Sequence, residues 1–128
     1  MYYFFRARRR RPRRRHTAGD RRKYLQYREQ ARALVYALVA QVNQHYHFPI
    51  GRITIRNNRS RWGSCSKKHN LNFNYKLVFL PEHLAEYIVV HELCHIGQFN
   101  HSQKFWDLVG EYISDYSERV RELKKQIF

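Results

Sequence analysis

The stretch HELCHIGQFNHS, residues 91–102, decides how the rest of this chain is interpreted. Its first and fifth residues, His91 and His95, are one helical turn apart, so on a helix both imidazoles project from the same face as neighbours. Two ligands of a single tetrahedral zinc ion need that arrangement. Glu92 is turned ~100° around the helix from His91, so its carboxylate misses the metal but can reach a water bound to the metal.

The sequence after this pair supplies a third histidine. His101 follows His91 by ten residues, and Gly97 allows the chain to turn between them, so that the imidazole of His101 can come back under the metal. Zinc held by three protein ligands keeps its fourth position open for water, as catalytic sites do. We therefore predict one Zn²⁺ per chain, bound by His91, His95 and His101, with Glu92 as the catalytic general base.

Local signals predict a helix around this motif. Pro81 and Glu82 are typical of a first helical turn, and Gly97 is typical of a helix stop. The apolar face between them consists of Leu84, Ile88, Val89 and Leu93. Ser102 is suited to cap a further helix, and a last amphipathic helix is expected over about residues 111–126.

Upstream, the pattern predicts one long helix followed by a small sheet. Residues 21–45 carry an apolar stripe at four-residue spacing, formed by Leu34, Leu38 and Val42. Three short β candidates follow at residues 53–55, 61–65 and 71–75, and we interpret them as a meander with an edge strand. The expected fold class is α+β, with an N-terminal helix, a small mainly antiparallel sheet, an active-site helix and C-terminal helices.

Several of these motifs together resemble the YgjP-type zinc metallopeptidase family, which is related to the SprT-like and WLM-domain proteases of the zincin class. The similarity covers roughly residues 24–126 and includes Ile53, RWGSCS (61–66), Asn74, Pro81, HELCH (91–95), NHS (100–102) and Phe105-Trp106. The resemblance implies a zincin-like fold in which His91, His95 and His101 bind the metal and Glu92 is catalytic. The histidine spacing is also that of the metzincins, but Gln98 stands where their glycine would be, so we do not interpret the chain as a metzincin.

The resemblance also singles out the strand at residues 61–66. In zincin clefts an edge strand can pair with an extended substrate through backbone hydrogen bonds. We expect Trp62 to be a core aromatic whose strand also borders the cleft. Trp62, Gly63 and Ser64 are therefore candidate substrate-binding residues for a protein or peptide.

Charge is concentrated at the start of the chain. The net charge is +15, and residues 1–23 hold 11 Arg or Lys against one acid, which is +10. We predict a flexible basic arm over residues 1–23, in the place where longer family members carry a further N-terminal section, and a metallopeptidase domain over residues 24–128. Closely spaced arginines bind phosphate backbones without reading sequence, so the arm is either a non-specific DNA or RNA contact or a solvated tail. Its candidate residues are Arg8, Arg9, Arg10, Arg11, Arg13, Arg14 and Arg15.

Composition narrows the possible compartments and functions. No apolar run approaches the ~18 residues of a membrane span, two cysteines are too few for a disulfide scaffold, and no secretory apolar region precedes the arginines. We expect a cytoplasmic protein without membrane contact that hydrolyses peptide bonds. One alternative is a non-catalytic nucleic-acid-binding module with structural zinc, which the presence of Glu92 disfavours; another is an amidase acting on something other than protein.

Overall fold

The computed structural model describes the backbone of residues 2–6 and all of residues 16–126. In these residues the chain folds as α+β, with four α-helices and one four-stranded sheet. The core lies where the first two helices pack on each other and on the sheet. The fold class expected from the sequence is confirmed.

The long helix α1 (Ala18–Tyr46) begins with a capping box. The Asp20 backbone N–H donates to Thr17 Oγ1, and the Thr17 N–H donates to Asp20 Oδ2. Two N–H groups that a helix start leaves without partners are thereby satisfied. The buried face includes two of the three predicted stripe residues, Leu38 and Val42, whereas Leu34 is half-buried. Its other members are Ala31, Val35 and Val39.

The sheet has the strand order β1-β3-β4-β2. Its strands are β1 (Tyr2–Arg6), β2 (Ile53–Arg56), β3 (Arg61–Ser66) and β4 (Leu71–Asn74). β3 pairs antiparallel with both of its neighbours, β1 and β4. Because two of the three pairings are antiparallel, the expectation of a mainly antiparallel sheet holds.

The expected meander is wrong in one connection. β2 lies beside β4 rather than beside β3, and it runs parallel to β4 with Ile53 opposite Leu71 and Arg56 opposite Asn74. Alternating hydrophobicity identifies a strand and the face it buries, but it does not specify which neighbour the strand pairs with. The edge strands are consequently β1 and β2, and β3 lies inside the sheet.

Three further helices follow a 3₁₀ helix (Tyr75–Phe79): α2 (Glu82–Gly97), α3 (Gln103–Tyr112) and α4 (Tyr116–Leu123). α2 ends at Gly97 as predicted, but no glycine among the described residues has a positive φ. A Cβ atom on Gly97 would lie 3.0 Å from side-chain atoms of both Phe48 and Leu108. Glycine is needed there because the segment just after α1 and helix α3 approach α2 closely.

The predicted boundary at residue 23 stays a prediction. Within the segment assigned to the arm, Tyr2–Arg6 forms β1 of the sheet, and α1 already begins at Ala18. The candidate nucleic-acid-binding residues, Arg8 to Arg15, lie outside the described residues. Among the described helices, none combines the length and apolar character needed to cross a membrane.

Candidate metal centre

Three imidazoles converge at the end of α2. The rings of His91 and His95 have centroids 4.8 Å apart, and His101 lies in the turn between α2 and α3. The Nε2 atom of His101 is 3.2 Å from His91 Nε2 and 3.0 Å from His95 Nε2. Zinc–nitrogen bonds of ~2.0–2.1 Å imply N···N separations of about 3.3 Å around a tetrahedral ion. In the part of the chain that the structure describes, this is the one group of three or more possible metal ligands.

Contacts behind two of the rings determine which nitrogen faces the centre. His95 Nδ1–H donates to the Gln98 carbonyl oxygen at 3.0 Å, just past the end of α2. His91 Nδ1 lies 3.3 Å from Glu92 Oε2. A proton on Nδ1 leaves the Nε2 lone pair to face a metal. The turn after α2 therefore delivers His101 and also orients His95.

Two aromatic side chains at the start of α3 pack against the imidazoles. Phe105 stacks on His95 with ring centroids 4.4 Å apart and an interplanar angle of 20°. Trp106 stacks on His101 at 6.0 Å and 24°. These packing contacts restrict ring rotation, as the outer shell of a metal site must. Both aromatics were quoted as motif residues in the sequence analysis, but they were given no role in the site. Their position four and five residues after His101 was the signal that could have indicated one.

Burial favours the neutral form of the histidines. It lowers the pKa of His91 to about 3 and that of His95 to about 4, the latter with a further contribution from His91. The pKa of the more exposed His101 is also lowered, by partial burial and by His91. Neutral imidazole is the form that binds a metal, so at neutral pH these ligands need not lose protons first.

Glu92 is wholly buried against β3. Its Cγ and Oε2 atoms would lie 3.0 and 3.3 Å from a Cβ atom built on Gly63. Any larger residue at position 63 would also meet the Asn72 carbonyl oxygen at 3.1 Å, so glycine provides the space that the carboxyl group occupies. β3 and α2 are therefore joined at the residue pair Gly63 and Glu92.

One oxygen of Glu92 has no partner. Oε2 contacts His91, whereas Oε1 is buried with no hydrogen bond to any described group. Burial raises the pKa of Glu92 to about 8, an effect that the nearby His95 and His101 oppose. A buried polar atom without a partner is unusual in a folded protein. An open acceptor beside three converging imidazoles fits a site that holds a metal ion together with a water molecule.

The three residues predicted to bind substrate lie in β3 but differ in their surroundings. Gly63 contacts Glu92, whereas the alternation of a strand directs Trp62 and Ser64 to the other face of the sheet. Trp62 is buried as expected of a core aromatic, and Ser64 Oγ accepts a hydrogen bond from Asn72 Nδ2 at 3.2 Å. Their role towards substrate stays a prediction that concerns the backbone of this strand.

Comparison with known proteins fits this geometry. A family model described as "YgjP-like, metallopeptidase domain" matches residues 6–126. The chain belongs to the YgjP-like family. This assignment makes it a metallopeptidase and confirms the resemblance carried by its motifs. No curated protein sequence matches it significantly.

A solved structure supports the fold of this YgjP-like chain. The metallopeptidase zymogen of Pyrococcus abyssi abylysin superposes with a TM-score of 0.58 at 24% sequence identity. The match covers 70% of this chain and 87% of the abylysin chain. At this level of identity the similarity concerns the fold alone.

Proposed function

We propose that this YgjP-like chain hydrolyses peptide bonds with one zinc ion per chain, held by His91, His95 and His101, and with Glu92 as general base. The observation that carries the proposal is the unpartnered, buried Glu92 Oε1 beside the three converging Nε2 atoms. When bound, zinc lowers the pKa of a water molecule towards ~7 and polarises the carbonyl of the scissile bond.

The residues of the chain then have separate tasks. The three imidazoles hold their Nε2 atoms in place, because Gln98 and the aromatic rings of α3 fix two of them from behind. Glu92 Oε1 accepts the proton of the attacking water and delivers it to the leaving amine nitrogen. Burial excludes competing solvent from the carboxyl group and raises its pKa in the metal-free chain, whereas the positive charge of bound zinc would favour the ionised form that a general base needs.

The substrate is proposed to be an extended protein or peptide segment. β3 is the strand that touches Glu92, and an added strand would hydrogen-bond its backbone at Trp62, Gly63 and Ser64 on the edge where β1 now pairs. Main-chain hydrogen bonds recognise the extended conformation of the substrate rather than its sequence. This arrangement favours flexible substrates that can become extended.

The test exchanges the proposed base without disturbing the metal ligands. Glu92→Gln keeps nearly the same volume, so zinc content should be unchanged while the cleavage rate of casein falls by ~10²–10⁴-fold, the usual contribution of a general base. Glu82→Gln, at the exposed start of the same helix, is the matched control and should cleave at the parent rate. Equal rates for the parent and Glu92→Gln at equal zinc content would remove Glu92 from the mechanism. A structural-zinc module, by contrast, would cleave in neither form.

We also propose a non-specific nucleic-acid contact through the arginines between Arg8 and Arg15. What supports it is their position directly after β1, where Arg6 pairs with Arg61. Arg61 lines a polar cavity of about 250 Å³ together with Arg56, Asn58, Ser64 and Asn72. Arg56 and Arg61 therefore carry positive charge at the end of the sheet where β1 ends.

Replacing the seven arginines by glutamine tests this proposal. Binding of a labelled oligonucleotide should weaken, and the log–log salt slope should become shallower by ~0.9 for each phosphate of duplex DNA that the arm no longer neutralises. Binding with an unchanged slope would assign nucleic-acid recognition to the domain instead.

Both cysteines are buried free thiols, and we propose the reducing cytoplasm as the compartment that suits them.

A further inference from the structure

β3 has a strand on both of its edges. On one side it pairs with β4, which belongs to the same hairpin. On the other side it pairs with β1, in the register Tyr2 opposite Ser66 through Phe5 opposite Gly63. The edge of β3 that would receive an added peptide is therefore already occupied by residues 2–6 of the same chain.

The occupied stretch lies at the level of the proposed base. Phe5 is opposite Gly63, and Gly63 is the residue against which Glu92 packs. β1 also contacts α2, the helix that carries two of the three histidines. The backbone of β1 thus pairs with the residue of β3 that contacts the proposed base, rather than with a remote part of the sheet.

The direction of β1 is that of an added peptide strand. β1 is antiparallel to β3, has no strand on its outer side among the described residues, and is joined to α1 by residues 7–17. Strand addition of this kind is a general way for proteins to bind extended peptides. The family match begins at residue 6, so four of the five β1 residues precede the matched domain. β1 therefore has the position of a peptide placed on the domain.

We propose that Tyr2–Arg6 is an internal inhibitory strand that occupies the peptide-binding edge of β3 and must leave before an extended substrate can pair there. The inference rests on the proposed peptidase function, whose substrate edge it assigns. No bond is made or broken in this step; one strand replaces another. The occupant is the chain itself, and the competing partner is any extended peptide.

The expected size of the inhibition follows from competition within one molecule. A tethered segment acts at an effective concentration of up to roughly millimolar order, above that of most free peptides. A five-residue edge strand is nonetheless held on one side only, and such elements open at low free-energy cost. If the edge is open one-tenth of the time, peptide affinity is reduced about tenfold.

Peptide binding tests the inference without depending on catalysis. The probe is a fluorescent, terminally blocked peptide with the sequence of residues 2–6, and the protein is zinc-loaded Glu92→Gln as the full chain or without residues 2–6. We expect fluorescence anisotropy to give about tenfold tighter binding to the shortened chain. The same peptide with proline at its third position should not bind well, because proline lacks the N–H that strand pairing needs. Equal affinity for both chains, or binding to neither, would overturn the inference.

Two substitutions test the strand within the full chain. Successive backbone N–H groups of a strand point to opposite sides, so of Tyr3→Pro and Phe4→Pro one removes a hydrogen bond to β3 and the other removes none. One variant should therefore bind the probe more tightly and the other should match the parent, at equal zinc content. Identical behaviour of the two variants and the parent contradicts the inference.

Cleavage separates this inference from the proposed function. With Glu92 intact, removal of residues 2–6 should raise kcat/KM for a quenched fluorescent peptide about tenfold. If neither chain cleaves although both hold zinc, and the affinities still differ tenfold, the peptidase function fails and the inhibitory strand stands. If both chains cleave equally and bind the probe equally, the peptidase function stands and the inhibitory strand fails.

Discussion

The histidine cluster and the β1–β3 edge are adjacent in space but are encoded in different ways. The cluster draws its imidazoles from residues 91–101, on one helix and the turn after it. The edge brings residues 2–6 onto residues 61–66, more than fifty positions away in the chain. The candidate metal ligands are thus close together in the sequence, whereas the pairing that we propose to control access to them is long-range. The two regions should therefore respond separately to mutation.

The largest expected effect is the loss of metal from a ligand variant. His91→Ala removes an imidazole from the buried side of the cluster, and zinc affinity should fall by more than the roughly 100-fold that outer-shell substitutions cost. Removal of residues 2–6 should leave zinc affinity unchanged, because none of the three ligands belongs to β1. Metal analysis after dialysis against a competing chelator measures both.

His16→Ala, at an exposed position before α1, is the control for losing a histidine. Zinc retention by His91→Ala would remove that residue from the ligand set. Zinc loss on deletion of residues 2–6 would show that the two regions are one cooperative unit, and the separation between them would fail.

The same difference between local and long-range contacts explains which features could be predicted from the sequence. Helical spacing identified His91 and His95, a short turn identified His101, and the structure brings these three residues together. The pairing of β1 with β3 was not foreseen because the net charge of residues 1–23 led us to interpret them as one basic arm, although the residues from Tyr2 to Phe5 are uncharged aromatics of the kind that strands favour. The place of β2 beside β4 was missed for a related reason: its alternation is compatible with either neighbour.

Gly63 is where the two regions meet, and enlarging it should damage both. In Gly63→Ala the new methyl group would meet Glu92 Cγ at 3.0 Å and the Asn72 carbonyl at 3.1 Å. We expect a stability loss of about 1–3 kcal/mol from overpacking. A displaced Glu92 should also lower kcat by roughly 10- to 100-fold at unchanged zinc content.

Gly110→Ala is the matched control in α3. Its methyl group would find Tyr116 at an ordinary contact distance of 3.5 Å, and alanine favours a helix over glycine by ~1 kcal/mol. Thermal unfolding and peptide cleavage by the two variants give the comparison. Full activity in Gly63→Ala would mean that the position of Glu92 does not depend on β3.

The burial of the Glu92 carboxyl group could not be foreseen from the motif. Helical geometry predicts that Glu92 lies next to the two histidines, but the burial of its carboxyl group depends on a glycine in a strand about thirty residues earlier. Gly97 illustrates the same limit, since its role is to admit Phe48 and Leu108 rather than to adopt a left-handed conformation. Both glycines are required by close packing between secondary-structure elements, and such packing cannot be predicted from a single sequence.

The smallest expected effect is a pH dependence that reports the burial of Glu92 in metal-free protein. Burial raises its folded-state pKa from 4.5 to about 8, so the folded state holds a proton that the unfolded state releases. This contribution to stability is complete below pH 4.5 and is lost as the pH rises towards 8. The buried histidines act in the opposite sense, because their lowered pKa makes stability fall as the pH drops below 6.5.

A difference between two proteins isolates the carboxyl group, since the histidine contribution is common to both. Glutamine cannot ionise, so chelator-treated Glu92→Gln should gain stability over the parent as the pH rises from about 5 to about 8. The gain can reach at most just over ~1 kcal/mol per pH unit, the limit for one proton. Urea unfolding of the two chains across this range measures it, with Glu82→Gln as the exposed control. A difference in unfolding free energy that stays constant with pH would mean that the carboxyl group is solvated in the folded chain. The proposed inhibitory strand would then lie beside an open cleft rather than a closed one.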